Sequence, residues 1–209
     1  RPWNEWLIVW GYDINGPEPE VTPEFATGVA LQLVGDPDLE IELLSASVWT
    51  VNNRYATRTS NGRVYCMGDA IHRHPPSNGL GSNTSIQDAF NLAWKLAMVL
   101  KGQAGAGLLD SYTVERAPIA KQIVTRANQS IAEFGPIFRA LGMTGGTDYD
   151  RIRASMDARC DATPAAEARR AALREAIAFK KYEFDAHGVE MNQRYRSDAV
   201  VTDGQIEPA

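Results

Sequence analysis

Between residues 63 and 85 the chain reads RVYCMGDAIHRHPPSNGLGSNTS, an apolar strand pattern at 64–67 that passes through Gly68 and Asp69, a proline pair and two glycines toward a helix. A helix start carries unpaired backbone N–H groups and a partial positive charge, and glycines let a ligand approach the backbone closely. An anionic or electron-rich group is therefore expected to dock here. Asp69 follows the strand directly, at the end where open sheets commonly bind ligands. Its carboxylate suits a ribose hydroxyl or, alternatively, caps the next turn through its own backbone. Pro75 and Pro76 stiffen the chain in an extended form, and residues 77–81 (SNGLG) make a loop whose N–H groups can face a ligand. The helix behind that loop is expected to start at Ser82 or Asn83, and such a nest stabilises developing negative charge without any side-chain base.

The neighbouring polar residues read as structural. His72 and His74 have only His187 as a further histidine, and no Glu or Cys stands at ligand spacing, so packing roles are expected and no metal site. Asp88 and Gln87, placed in the first turn of the helix, are expected to complement its dipole. Tyr112, Glu115 and Arg116 are expected to form a structural cluster near the start of the next helix.

The elements that must position these groups are strands first and helices after. Residues 6–12 (WLIVWGY) read as a buried strand. Thr22 offers an N-cap with Pro23 at the first helical position, and the helix runs to Leu33 before Gly35, Asp36 and Pro37. Residues 41–52 are rich in strand formers, with 54–59 as a continuation, a turn at 60–62 and the strand at 64–67. Then Ile86, Ala89, Phe90, Ala93, Leu96, Ala97 and Leu100 recur at helical spacing until Gly102. A second helix from Leu108 or Asp110 is expected to kink at Pro118 and Pro136, with a boundary at 142–147. Residues 164–185 are Ala-, Arg- and Glu-rich and favour another helix, and 197–209 read as an extended exit. This order suits an α+β piece better than a complete alternating sheet.

Composition narrows the partners. Apolar residues at 44% and charged residues at 22% are ordinary globular values, and no apolar run approaches the roughly 20 residues of a membrane span. A soluble, cytoplasmic protein is expected. The net charge of −5 gives no general footprint for nucleic acid. Cys66 and Cys160 read as reduced thiols. The chain opens RPWNEW, without an initiator Met or signal peptide, and is expected to begin inside a longer protein.

Residues 62–100, GRVYCMGDAIHRHPPSNGLGSNTSIQDAFNLAWKLAMVL, resemble the second flavin-binding motif of the class A flavoprotein aromatic hydroxylases, close to the phenol and 2,4-dichlorophenol hydroxylase branch. Residues 108–130 and 180–195 are similar to that branch as well. The resemblance implies part of an α/β FAD-binding fold, with 1–60 as part of a β-sheet substrate domain, 61–145 as the C-terminal half of the FAD-binding domain, and 146–209 as a helical segment and linker. It implies that Gly68 and Asp69 serve the sugar side of FAD, that the Pro76 carbonyl lies beside the reacting ring, and that Gly79, Leu80, Gly81, Ser82 and Asn83 set backbone amides against the flavin N1 and C2 carbonyl edge. Arg54 and Tyr55 are candidates for substrate or flavin contact, with plain sheet surface as the alternative.

The activity implied is ortho-hydroxylation of a phenol through a flavin C4a-hydroperoxide, with NADPH or NADH as reductant and O₂ as co-substrate. Two departures limit it: no Gly-x-Gly-x-x-Gly follows a strand, and the branch's thioredoxin-like C-terminal domain is absent from these residues. The missing N-terminal part of the same protein is thus an expected partner. A flavin-free interaction fragment, with assembly into a homo-oligomer, and a related FAD monooxygenase for another aromatic ring stay open as alternatives.

Overall fold

In its extended conformation Thr22 turns its hydroxyl onto the Phe25 N–H at 3.1 Å, and Pro23 follows with its φ already helical, so α1 (Pro23–Val34) begins where the sequence predicts. Gly35, at φ 77°, ends it in the left-handed conformation that glycine adopts without strain. The computed structural model describes residues 4–143, 148–191 and 193–201. Residues 1–50 and 51–209 form two compact units.

In the first unit the expected strand at 6–12 and most of that at 41–52 form no ladder among the described residues. β-propensity supplies an extended backbone, but a strand exists only where a neighbour takes its N–H and C=O groups. Leu7 is accordingly 90% exposed. Trp10 instead packs edge-on against Phe25 of α1, ring centroids 5.4 Å apart.

The second unit holds two short antiparallel ladders. β1 (Arg54–Tyr55) pairs with β4 (His72–Arg73), and β2 (Ser60–Asn61) pairs with β3 (Val64–Tyr65) through a turn at Gly62, φ 59°. The expected strand at 54–59 is shortened to Arg54–Tyr55, and that at 64–67 to Val64–Tyr65 ahead of the left-handed Gly68, φ 62°.

The remaining regular elements described are helices. α2 (Leu80–Leu100) starts ahead of the expected Ser82 or Asn83 and closes at Lys101 and Gly102. α3 (Ser111–Ala132) runs through Pro118 as one element, and Pro136 starts α4 (Gly135–Leu141) instead of kinking its predecessor. The expected boundary at 142–147 has Gly142 as the left-handed cap of α4, while 144–147 lie outside the described residues. Asp148 caps α5 (Tyr149–Asp157) and Thr163 caps α6 (Pro164–Lys180). The expected helix to 185 stops at Lys180, passes through a 3-10 turn at Lys181–Glu183, and is followed by α7 (His187–Glu190).

The buried face of α2 is Leu80, Thr84, Asp88, Asn91, Leu92 and Lys95, whereas Ile86 and Phe90 of the apolar repeat that marked the helix are 66% and 76% exposed. A small apolar cluster of Leu80, Ile119, Ile123, Ala186 and Val189 is joined by Tyr195. Beside it lies a charged core. Glu115 accepts from Lys95 at 2.6 Å and from Asn91 at 2.7 Å, and its other oxygen accepts from Ser197 at 2.6 Å. Ser197, expected in an extended exit, is therefore docked on α3; residues 202–209 lie outside the described residues. Burial opposes the Glu115 charge, yet the hydrogen bonds from Asn91, Lys95 and Ser197 hold its pKa below the ordinary value.

Removing one partner of such a pair leaves a buried charge uncompensated, whereas replacing both does not. Glu115→Ala is expected to cost about 3–5 kcal/mol in urea denaturation. The double replacement Lys95→Met with Glu115→Leu is expected to recover most of it, and a double variant no better than the single one would contradict this account.

Candidate active site

The chain leaves β3 and meets Gly68, whose left-handed φ and crowding both exclude a side chain: a Cβ there would lie 3.1 Å from the Ser85 hydroxyl. Gly68 gives its N–H to the Asp88 carboxylate at 3.1 Å and opens a 3-10 turn, Gly68–Ala70. Asp69 lies exposed on that turn, its backbone carbonyl accepting from Arg73 Nε at 3.2 Å. β4 then carries the chain to the proline pair. His74 Nδ1 binds the Pro75 carbonyl at 2.7 Å; Pro75 is buried and Pro76 exposed.

Asn78 and Gly79 are both left-handed, at φ 62° and 61°, and α2 begins immediately after them. Gly81, Ser82 and Asn83 therefore belong to the helix itself and not to a loop ahead of it. Helical geometry leaves the first N–H groups without intrahelical acceptors, and they stand at the exposed end, since Gly79 and Ser82 are exposed and Gly81 half-buried. Leu80 is driven into the apolar cluster and anchors this end. The Asn83 amide donates to the Gly79 carbonyl at 2.8 Å, which closes the turn from within.

Gly81 tests whether these residues suit a ligand. Its φ is not positive, and an added Cβ would meet only the His74 ring, at an ordinary 3.6 Å. Nothing within the chain requires glycine there, although glycine in a helix costs about 0.5–1 kcal/mol relative to alanine. The backbone at Gly81 is open enough for a group outside the chain to come up against it.

Behind the turn and the helix start lies Asp88. It sits well past the first turn of α2, together with Gln87, because the helix starts early; the expected dipole role is replaced by a buried hub. One oxygen accepts from His72 Nε2 at 2.9 Å as well as from Gly68, and the other accepts from Arg116 Nε at 2.6 Å. Arg116, fully buried, also donates to Tyr195 at 2.9 Å and Gln193 at 3.1 Å. Burial pushes the Asp88 pKa up, but the His72 hydrogen bond, the Arg116 charge and the Gly68 N–H outweigh it and hold the carboxyl below its usual range. Tyr112 donates to the Cys66 carbonyl at 2.9 Å, and burial, with the Asp88 charge, raises its pKa and keeps the phenol protonated. Tyr112, Glu115 and Arg116, expected as one structural cluster, are all buried but serve different partners: Tyr112 the Cys66 carbonyl, Arg116 the Asp88 hub, and Glu115 its own set of Lys95, Asn91 and Ser197.

The model of the family described as FAD binding domain matches residues 1–127. The chain belongs to that family. It is 56% identical over 203 residues to 2,4-dichlorophenol 6-monooxygenase of Cupriavidus pinatubonensis, covering 97% of this chain and 34% of that one. It is 57% identical over 209 residues to phenol 2-monooxygenase of a Pseudomonas species, covering 100% and 34%. Among solved structures, the flavin-dependent monooxygenase PieE in complex with FAD and substrate matches with a TM-score of 0.82 and 42% identity, over 93% of this chain and 34% of that one. The chain thus spans about a third of the length of the relatives it matches.

Within this member of the family, Gly68, Asp69, Pro76, Gly79, Leu80, Gly81, Ser82 and Asn83 lie on one excursion between β3 and the first turn of α2. Arg54 and Tyr55 are exposed on β1, opposite Arg73 and His72. Sequence reasoning missed Asp88 as a hub. The available signal was a polar repeat, Thr84, Asp88, Asn91 and Lys95, at helical spacing, which marks a buried polar face as readily as a wet one. It also missed Glu183, which bonds to Asn78 from 105 residues away and left no local sign.

Because the folded pKa of Asp88 lies below its unfolded value near 4, its contribution to stability is complete above that value and is lost as the pH falls through the folded pKa. Thermal melts from pH 7 down to about 2 are expected to show wild-type stability falling below about pH 4. In Asp88→Asn the stability is lower at pH 7 and its decline with acid shallower; parallel curves for the two proteins would refute the assignment.

Proposed function

We propose that this chain is the loop-and-helix half of the FAD site of a phenol monooxygenase, an enzyme that hydroxylates phenols ortho to the hydroxyl, chlorophenols included, with NADPH or NADH as reductant and O₂ as co-substrate. The single observation that carries this reading is the start of α2: exposed N–H groups behind a left-handed Asn78-Gly79 pair, with a glycine at 81 that no internal contact requires. Membership of the FAD binding domain family and the names of the whole-chain relatives support it.

Asp69 would hold the sugar side of FAD, with Gly68 shaping the turn that presents it. The Pro76 carbonyl would lie beside the ring, and the N–H groups of Gly79, Leu80, Gly81 and Ser82 would meet its electron-rich edge, preorganised for negative charge. Asn83 would act mainly through the cap it closes. Bound FAD would supply the electron transfer and oxygen activation. Arg54 and Tyr55 would face substrate. We assign 1–60 to the substrate domain, 61–145 to the FAD domain and 146–209 to a helical segment. The exposed face formed by Ile86, Phe90 and Trp94 on α2 would pack against the rest of the same gene product, which the threefold length of the relatives supports. No described helix is long and apolar enough to cross a membrane. A cytoplasmic site for the whole protein accords with two unpaired cysteines.

Gly81→Ala separates the ligand's requirement from the fold's. In the full-length gene product the flavin-free form is expected to melt no lower than wild type, since alanine favours the helix by about 0.5–1 kcal/mol. Flavin affinity, followed by fluorescence quenching, is expected to fall at least tenfold, equivalent to about 1.4 kcal/mol. Asp69→Ala is expected to weaken flavin binding and to reduce phenol-dependent NAD(P)H oxidation. A wild-type protein that binds no flavin would overturn the reading and favour a flavin-free interaction fragment.

A further inference from the structure

Glu183 lies in the 3-10 turn after α6, yet its hydrogen bonds reach the loop that opens α2. Its carboxylate Oε1 accepts the Asn78 backbone N–H at 3.3 Å, and its backbone carbonyl accepts from Asn78 Nδ2 at 3.0 Å. Asn78 is the only described residue other than glycine with a positive φ. Asparagine tolerates that conformation better than most residues but still carries its cost, so a conformation held from both the main chain and the side chain is overdetermined by its surroundings.

The clamp is itself anchored. The other oxygen of Glu183 pairs with Lys180, whose ammonium also donates to the Ser130 carbonyl on α3 and lies 3.9 Å from the centre of the Phe134 ring. Lys180 and Glu183 are both buried, and Arg126 of α3 stacks over Tyr182 of the same turn at 4.7 Å. The turn is thereby fastened to α3 on one side and to Asn78 on the other. The left-handed pair at Asn78 and Gly79 sets the direction in which α2 starts, and with it the aim of the first N–H groups.

We propose that Glu183 is a positioning residue for the flavin loop: by gripping Asn78 it holds the N–H groups of Gly79, Leu80, Gly81 and Ser82 in the arrangement that receives the electron-rich edge of the ring. This rests on the FAD reading above. It assigns to the C-terminal segment a part in the cofactor site that its distance along the chain conceals. Preorganised donors favour the reduced, negatively charged flavin over the oxidised one, so loosening them acts on potential as well as affinity.

The test uses the full-length gene product loaded with FAD. Glu183→Ala removes both the carboxylate grip and the partner of Lys180. Glu183→Gln keeps an acceptor for the Asn78 N–H and the backbone carbonyl, but removes the charge that compensates Lys180. Both are expected to melt below wild type. Only Glu183→Ala is expected to bind FAD about tenfold more weakly and to shift the midpoint potential of the bound flavin to a more negative value. Asn78→Ala, which leaves the pair with Lys180 intact, is expected to reproduce the shift in potential and covers the case in which Glu183→Ala does not fold. Variants that lose thermal stability but keep wild-type flavin affinity and potential would overturn the positioning role. Failure of the wild type to bind FAD would instead overturn the reading on which it rests.

Discussion

The Asp88 carboxylate is the point on which this structure turns. A carboxylate buried in a protein interior is costly unless its lone pairs are met, and here they are met by groups from three separate segments: Gly68 in the turn after β3, His72 on β4 and Arg116 on α3. Each donor fixes a piece of backbone that the candidate site needs. The Gly68 N–H sets the turn that exposes Asp69, His72 anchors the strand leading to the proline pair, and Arg116 ties α2 to α3 and onward to Tyr195. A hydrophobic contact could join the same elements but would leave their register loose; a charge with directional donors does not.

The consequence is a helix whose buried side is polar. α2 turns Thr84, Asp88, Asn91 and Lys95 inward and leaves Ile86 and Phe90 in the open. The Glu115 carboxylate repeats the device one turn farther along, gathering Lys95, Asn91 and Ser197. Asp88 and Glu115, each met by three donors, tie these elements together, while the apolar cluster of Leu80, Ile119, Ile123, Ala186 and Val189 is small. The polar core and the hydrogen bonds to Asn78 converge on the start of α2, where a helix N-terminus favours negative charge.

Local signals were legible wherever a few neighbouring residues settle the conformation. Thr22 with Pro23 and Thr163 with Pro164 mark helix starts because a hydroxyl and a fixed φ act within one turn. The Gly-Asp pair, the prolines and the two glycines marked the candidate site for the same reason. Strands at 6–12 and 41–52 were not decidable, because extended residues become strands only through a partner elsewhere in the chain. Periodicity identified α2 as a helix but not which face is buried, since the spacing of Ile86, Phe90 and Leu100 and that of Thr84, Asp88 and Lys95 are both helical.

By itself, then, the sequence determined which family the chain belongs to and marked the stretch proposed as the cofactor loop, both properties carried by contiguous residues. Only the tertiary structure decided that α2 begins at Leu80, that Asp88 braces the loop from behind, and that Glu183 grips Asn78 across 105 residues. The physical reason is the same in each case: a buried polar atom is satisfied by whatever donor the fold brings within hydrogen-bond distance, and sequence separation places no limit on which donor that is.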